Sequence, residues 1–150
     1  MTALAQHHRA GRLSEWRGTT VGRLLEDGGH LTAGLSKKAL YEAATRFAQT
    51  HAAWQAAVAS RRPMAVTSGW TGAPEDIEQS RRAVEQYERV NSALQRQGHA
   101  IRQATHDLCC EHHEEAWTPP FHMAFNCVEG LKVLAAHYGL EWAIADRQAA

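Results

Sequence analysis

Behind Ser36 the positions Leu40, Ala44, Phe47, His51, Trp54 and Val58 recur at alternating steps of four and three. That is the α-helical period, held for about six turns, with Ser36 placed to cap its start and Pro63 to close it. Other stretches carry the same period. Thr19 to Asp27 predicts a short helix with Val21, Leu24 and Leu25 inward, stopped by Gly28-Gly29. Pro74 suits a first helical position, with Glu75 and Asp76 where the helix dipole favours negative charge. Ile77, Val84, Tyr87 and Leu94 then form an apolar stripe as far as Gly98, and a further helix spans His99 to about Glu111.

The Trp117-Thr118-Pro119-Pro120 turn breaks the pattern, because a proline pair cannot continue a helix. A last long helix is predicted from Phe121 to Tyr138, with Phe121, Phe125, Val128, Leu131 and Leu134 inward and Gly139 as its stop. Leu140 to Arg147 adds a final turn or two. No stretch alternates apolar and polar residues over a useful strand length. The pattern predicts an all-α bundle of four to six helices spanning residues 19–150, its core built on Phe47, Trp54, Tyr87, Leu94, Phe125, Leu131 and Leu134. Residues 1–18 lack that periodicity and read as a flexible N-terminal arm.

Composition narrows the class. At 150 residues, 44% hydrophobic and 21% charged, the chain has room for one globular domain. No apolar run reaches the roughly 18 residues of a membrane helix, and no secretion segment stands at the start. Three cysteines, two of them adjacent, fit a reduced protein of the cytoplasm better than a disulfide framework. The sixteen basic and sixteen acidic residues cancel, which excludes a uniformly basic nucleic-acid coat. They are unevenly spread, with a net of +4 over residues 1–75 and −4 over residues 76–150. Either the two halves pack together or one faces a partner of opposite charge.

Three groups carry candidate chemistry. His106, Cys109, Cys110 and His113 share helical spacings of three and four, and Cys127 or His122 could complete a tetrahedral thiolate–imidazole zinc site. The specific C-x2-C and H-x3-5-H pairs of zinc signatures are missing, so ordinary packing of these residues is the competing reading. A nucleophilic Cys109 or Cys110 activated by His113 is the weaker chemical alternative, with no oxyanion hole marked and no catalytic residue assigned. The second group is Arg9, Arg12 and Arg17 around Trp16, which suits phosphate contact and base stacking. Arg61-Arg62 and Arg81-Arg82 are further basic pairs. The third is the helix pair around Trp117–Pro120, shaped like a helix-turn-helix, although its second helix offers few base-reading side chains beyond Asn126, Lys132 and His137.

The run Gly34-Leu35-Ser36, Ala39, Tyr41-Glu42-Ala43 and Arg46-Phe47-Ala48 resembles the opening of small all-α proteins of alphaproteobacterial phages and prophages. Val128 to Leu140 is similar to their closing segment, which looks like the end of a degenerate helix-turn-helix. The resemblance implies an all-α fold and a mobile-element origin, with no established activity. The Cys109–His113 cluster and the Trp117–Pro120 turn depart from it. The expectation is a non-catalytic interaction or regulatory protein binding DNA or a host nucleoprotein complex. The alternative is a protein-binding inhibitor of a host defence or transcription complex, acting through the acidic C-terminal half. A zinc-containing protein built on the cysteine–histidine cluster comes third.

Overall fold

The Thr19 hydroxyl accepts a hydrogen bond from the Gly22 amide at 3.0 Å, giving a partner to one of the amides that a helix start leaves open. Ser36 does the same for Ala39 at 3.3 Å. The computed structural model describes residues 18–61, 74–111 and 117–144, excepting the side chains of residues 61, 74 and 75. These residues form α1 (Thr20–Asp27), α2 (Lys37–Arg61), α3 (Pro74–Arg96), α4 (His99–Cys109) and α5 (Phe121–His137), with a 3-10 turn at Gly29–Thr32. Among the described residues there is no strand, only an isolated antiparallel bridge between Leu35 and Ala143. The fold is an all-α helical bundle. No described helix is long and apolar enough to cross a membrane.

α2 packs against α3 and α5, α5 also packs on α4, and α1 covers α2 and α4 at one end. The core between them holds Leu25, Leu40, Phe47, Val90, Leu94, Val128, Leu131 and Leu134, all fully buried. Only Gln97 and Gly98 separate α3 from α4, and Gly98 takes φ of 120°, which other residues rarely adopt. That reversal lays α4 back along α3, where Arg102 Nε donates to Asn91 Oδ1 at 2.7 Å.

α4 and α5 meet closely at Gly130. A Cβ there would overlap Oγ1 of Thr105, so a larger residue requires the threonine side chain or its helix to shift. Thr105 is fully buried, and its hydroxyl donates to the Ile101 carbonyl at 2.7 Å. Nearby, the buried Cys127 thiol donates to the Ala104 carbonyl at 3.6 Å.

Four expectations need correction. Phe121 and Phe125 are not core; they are 82% and 56% exposed. α5 buries Ala124, Cys127, Val128, Gly130, Leu131, Leu134 and Ala135, so its packing face is made largely of small residues. That arc is centred roughly 120° around the helix from Phe125, at about 100° per residue. Ile77 is exposed as well; at this end small and polar residues of α2 and α3, among them Ala53, Ala57, Gln79 and Ser80, line a cavity where an apolar core would need large side chains. Trp54 is half-buried, lying at the core's edge. The segment after Gly139 is extended and not helical: Ser36 N donates to Trp142 O at 2.7 Å and Ile144 N to Gly34 O at 3.0 Å. Pairing with the loop before α2 satisfies backbone groups that a helical turn would otherwise have satisfied. The arm, with Arg9, Arg12, Trp16 and Arg17, lies outside the described residues, as do Arg62, the Pro63–Ala73 connector and His113.

Truncating Leu131 to Ala should cost about 2–5 kcal/mol in urea unfolding, whereas Phe125→Ala should cost under about 1 kcal/mol. Equal losses at the two positions would contradict the packing face of α5. Gly130→Ala should destabilise by about 1–3 kcal/mol through overpacking. In the double variant with Thr105→Ala, part of that loss should return, and strict additivity would show that the two sites do not touch.

Candidate metal centre

The stripe of α2 that carries Phe47 continues through His51 to Trp54, one helical turn at a time. It faces α3 and α4. On α4 His106 follows the buried Thr105, and Cys110 comes one turn later. The Cys110 amide still donates to the His106 carbonyl at 2.9 Å, so the helical turn persists to the cysteine and keeps both side chains on one face. One ligand atom from each of His51, His106 and Cys110 then lies within 4.8 Å of the other two.

Aromatic rings frame this trio. The His51 and His106 rings meet edge-to-face with centroids 5.5 Å apart, and Phe47 closes on His106 at 5.1 Å. From α3, the Tyr87 hydroxyl lies 3.3 Å from His106 Nε2, and Trp54 stacks on the Tyr87 ring at 4.3 Å. Three helices therefore fix the position of His106. A metal-ligating histidine commonly engages its second ring nitrogen with such a partner, which sets its tautomer and orientation.

The electrostatics favour neutral donors. Burial, reinforced by the Arg102 and His51 charges, pushes His106 down to about 4. Burial lowers His51 too, with Glu111 opposing the shift. Burial, with Glu111 adding to it, pushes the Cys110 thiol up to about 12. At neutral pH the trio is two neutral imidazoles and a protonated thiol. Imidazole in this form presents a lone pair, and the charge of a bound cation would offset the unfavourable burial of a thiolate. Zinc–nitrogen distances of about 2.0–2.1 Å and zinc–sulfur of about 2.3 Å place tetrahedral ligand atoms roughly 3.3–3.6 Å apart. The three donors, within 4.8 Å of one another, would draw together by up to about 1.5 Å to reach that spacing.

The chain matches no protein-family model, no curated protein and no solved structure. The site must be judged on its own chemistry.

Of the residues expected to bind metal, the structure brings His106 and Cys110 together. Cys109 packs against the core, where burial pushes its thiol far up, and Cys127 turns to the Ala104 carbonyl. Neither joins the trio. His122 is exposed on α5. The donor that sequence reasoning missed is His51, read there as one position of a core stripe. The signal was present: an imidazole on a stripe whose other positions, Leu40, Ala44, Phe47, Trp54 and Val58, are all apolar or aromatic. Of the basic residues expected to contact nucleic acid, Arg81 and Arg82 both pair with Glu78, at 2.8 and 3.5 Å, and Lys132 pairs with Glu129 at 2.8 Å. The side chain of Arg61 is not described.

A histidine whose folded pKa is depressed takes up fewer protons than its unfolded counterpart. Its stabilising contribution is complete above about pH 6.5 and is lost as pH falls toward 4. In chelator-treated protein, the urea midpoint should therefore fall between pH 6.5 and 5, and His106→Gln should flatten that fall. An unchanged slope in the variant would place His106 in solvent.

Proposed function

We propose that the protein is a metal-binding helical bundle that holds one divalent transition-metal ion, zinc foremost, through His51, His106 and Cys110. The observation carrying this reading is the convergence of two imidazoles and a thiol, from two helices, within 4.8 Å. Nitrogen and sulfur donors in that ratio suit zinc, whereas calcium and magnesium require oxygen. The ion would join the middle of α2 to the end of α4, and a three-residue set leaves one coordination position for solvent or a further ligand.

Untagged protein should take up about one equivalent of zinc, measured by elemental analysis after gel filtration. Cobalt in place of zinc should give a near-ultraviolet thiolate charge-transfer band. Cys110→Ser should abolish the band, while Cys109→Ser and Cys127→Ser should keep it. Zinc at a hundred times its dissociation constant should stabilise the wild type by about 2.7 kcal/mol. His51→Ala should lose that gain. Substoichiometric zinc, or a band that depends on Cys127 and not Cys110, would overturn the assignment.

The reading as a non-catalytic regulator of DNA or of a host protein complex stands as a second proposal. The observation that bears on it is the outer face of α5, where Phe121 and Phe125 stand exposed one turn apart. Exposed aromatics in such an arrangement suit a protein surface better than base edges. Titration of labelled duplex DNA at low salt tests the choice. A protein-directed role predicts no saturable binding, and affinity falling steeply with salt would return the DNA reading.

A further inference from the structure

On another face of the bundle α2, α3 and the end of α5 enclose a groove of about 570 Å³. Its size falls within the range that small ligands occupy, roughly 300–1,000 Å³. The lining is polar in an unusual way. Arg46 and Gln49 come from α2, Gln86 and Arg89 from α3, and His137 from the last turn of α5. Among the described residues no carboxylate lines it, while Glu85 and Glu88 line the adjoining depression that shares Arg89 and His137. The Thr50 and Tyr138 hydroxyls, 2.9 Å apart, tie α2 to the residue after α5 and hold the groove's walls together.

The two guanidiniums differ in their commitments. Arg46 pairs with Glu42 at 2.8 Å on its own helix, in an exposed contact that holds weakly in water. Arg89 forms no ion pair among the described residues, although Glu85 stands one turn before it on α3. Its charge is instead felt by His137, whose pKa is lowered first by burial and then by Arg89. A neutral imidazole beside an unpaired guanidinium gives the groove a cation, a further donor and two side-chain amides. Arginine forks from two helices are the arrangement that binds planar or tetrahedral oxyanions in two directions.

We infer that the groove between α2, α3 and α5 binds a small organic oxyanion, a phosphate ester or a carboxylate, through Arg89 and Arg46, with His137, Gln49 and Gln86 adding hydrogen bonds. The site is separate from the metal trio in its residues. Arg46, Gln49, Gln86, Arg89 and His137 are exposed side chains on helices whose opposite faces are core, so their backbone positions are set before any ligand arrives. The Glu42–Arg46 pair opens when the anion binds, exchanging one exposed carboxylate for the ligand's.

Inorganic phosphate, glycerol 3-phosphate and succinate serve as probes, followed by calorimetry and by the Arg side-chain Nε–H signals in nitrogen-15 NMR. Measurements in the Cys110→Ser background keep any metal out of the result, so this proposal can fail while the metal proposal stands. Saturable binding of at least one probe is expected, with Arg89 and Arg46 signals shifting together. Arg89→Gln should weaken it by about tenfold or more, the loss typical of a charge-assisted hydrogen bond, without lowering the melting temperature. Arg82→Gln, at a residue paired elsewhere, should leave it unchanged. Tighter phosphate ester than succinate assigns the phosphate class, and the reverse order assigns the carboxylate class. No saturable binding of any probe, or equal binding by wild type and Arg89→Gln, would overturn the inference.

Discussion

The approach of α4 to α5 at Gly130 governs where the chemistry sits. Because a hydrogen is all that Gly130 presents, Thr105 seats against the backbone of α5 and is wholly buried there. His106 is the next residue along α4, and Cys110 lies one turn further on. Seating Thr105 therefore fixes the rotation of α4, and with it the direction in which the imidazole and the thiol point. They point at α2, where His51 stands between Phe47 and Trp54. A side chain at position 130 would force Thr105, the residue before His106, to shift.

The centre is built at some expense to stability. A bundle this small gains most from apolar burial, yet it places two imidazoles, a phenol and a thiol where leucines would pack. Part of that cost is offset by contact among the groups themselves: Tyr87 to His106, Trp54 on Tyr87, Phe47 against the His106 edge. Keeping the histidines neutral avoids burying charge, and it also leaves their lone pairs available. The same burial that raises the Cys110 thiol makes a cation the natural means of stabilising its thiolate. Packing and the proposed metal affinity thus draw on one environment.

The remaining surface divides by helix. The outer side of α3 carries local ion pairs to Glu78, while Arg89 stands between the groove shared with Arg46 and a neighbouring depression lined by Glu85 and Glu88. α5 is two-sided in another sense. Its small residues enter the core, and its phenylalanines face outward. Charge asymmetry between the chain's halves does not by itself identify a partner, since pairs such as Arg46–Glu42 and Lys132–Glu129 close within single helices.

The periodicity of the sequence determined the helices. Ser36 as a cap, Pro74 as a helix start, Gly98 as a break and the Pro119-Pro120 turn all act within a few residues, so their effects are local and legible. The inward face of α1, and that of α2 as far as Phe47, were legible for the same reason. Two things were not. Phe125 looked inward because large aromatics usually mark a core face, but α5 meets its neighbours closely enough to select its alanines, cysteine and glycine instead. His51 looked like packing because the donor role proposed for it depends on His106 and Cys110, more than fifty residues away in the chain. Helical period is a property of neighbours, whereas a ligand set is a property of how helices cross, and that crossing was decided by contacts such as Gly130 on Thr105.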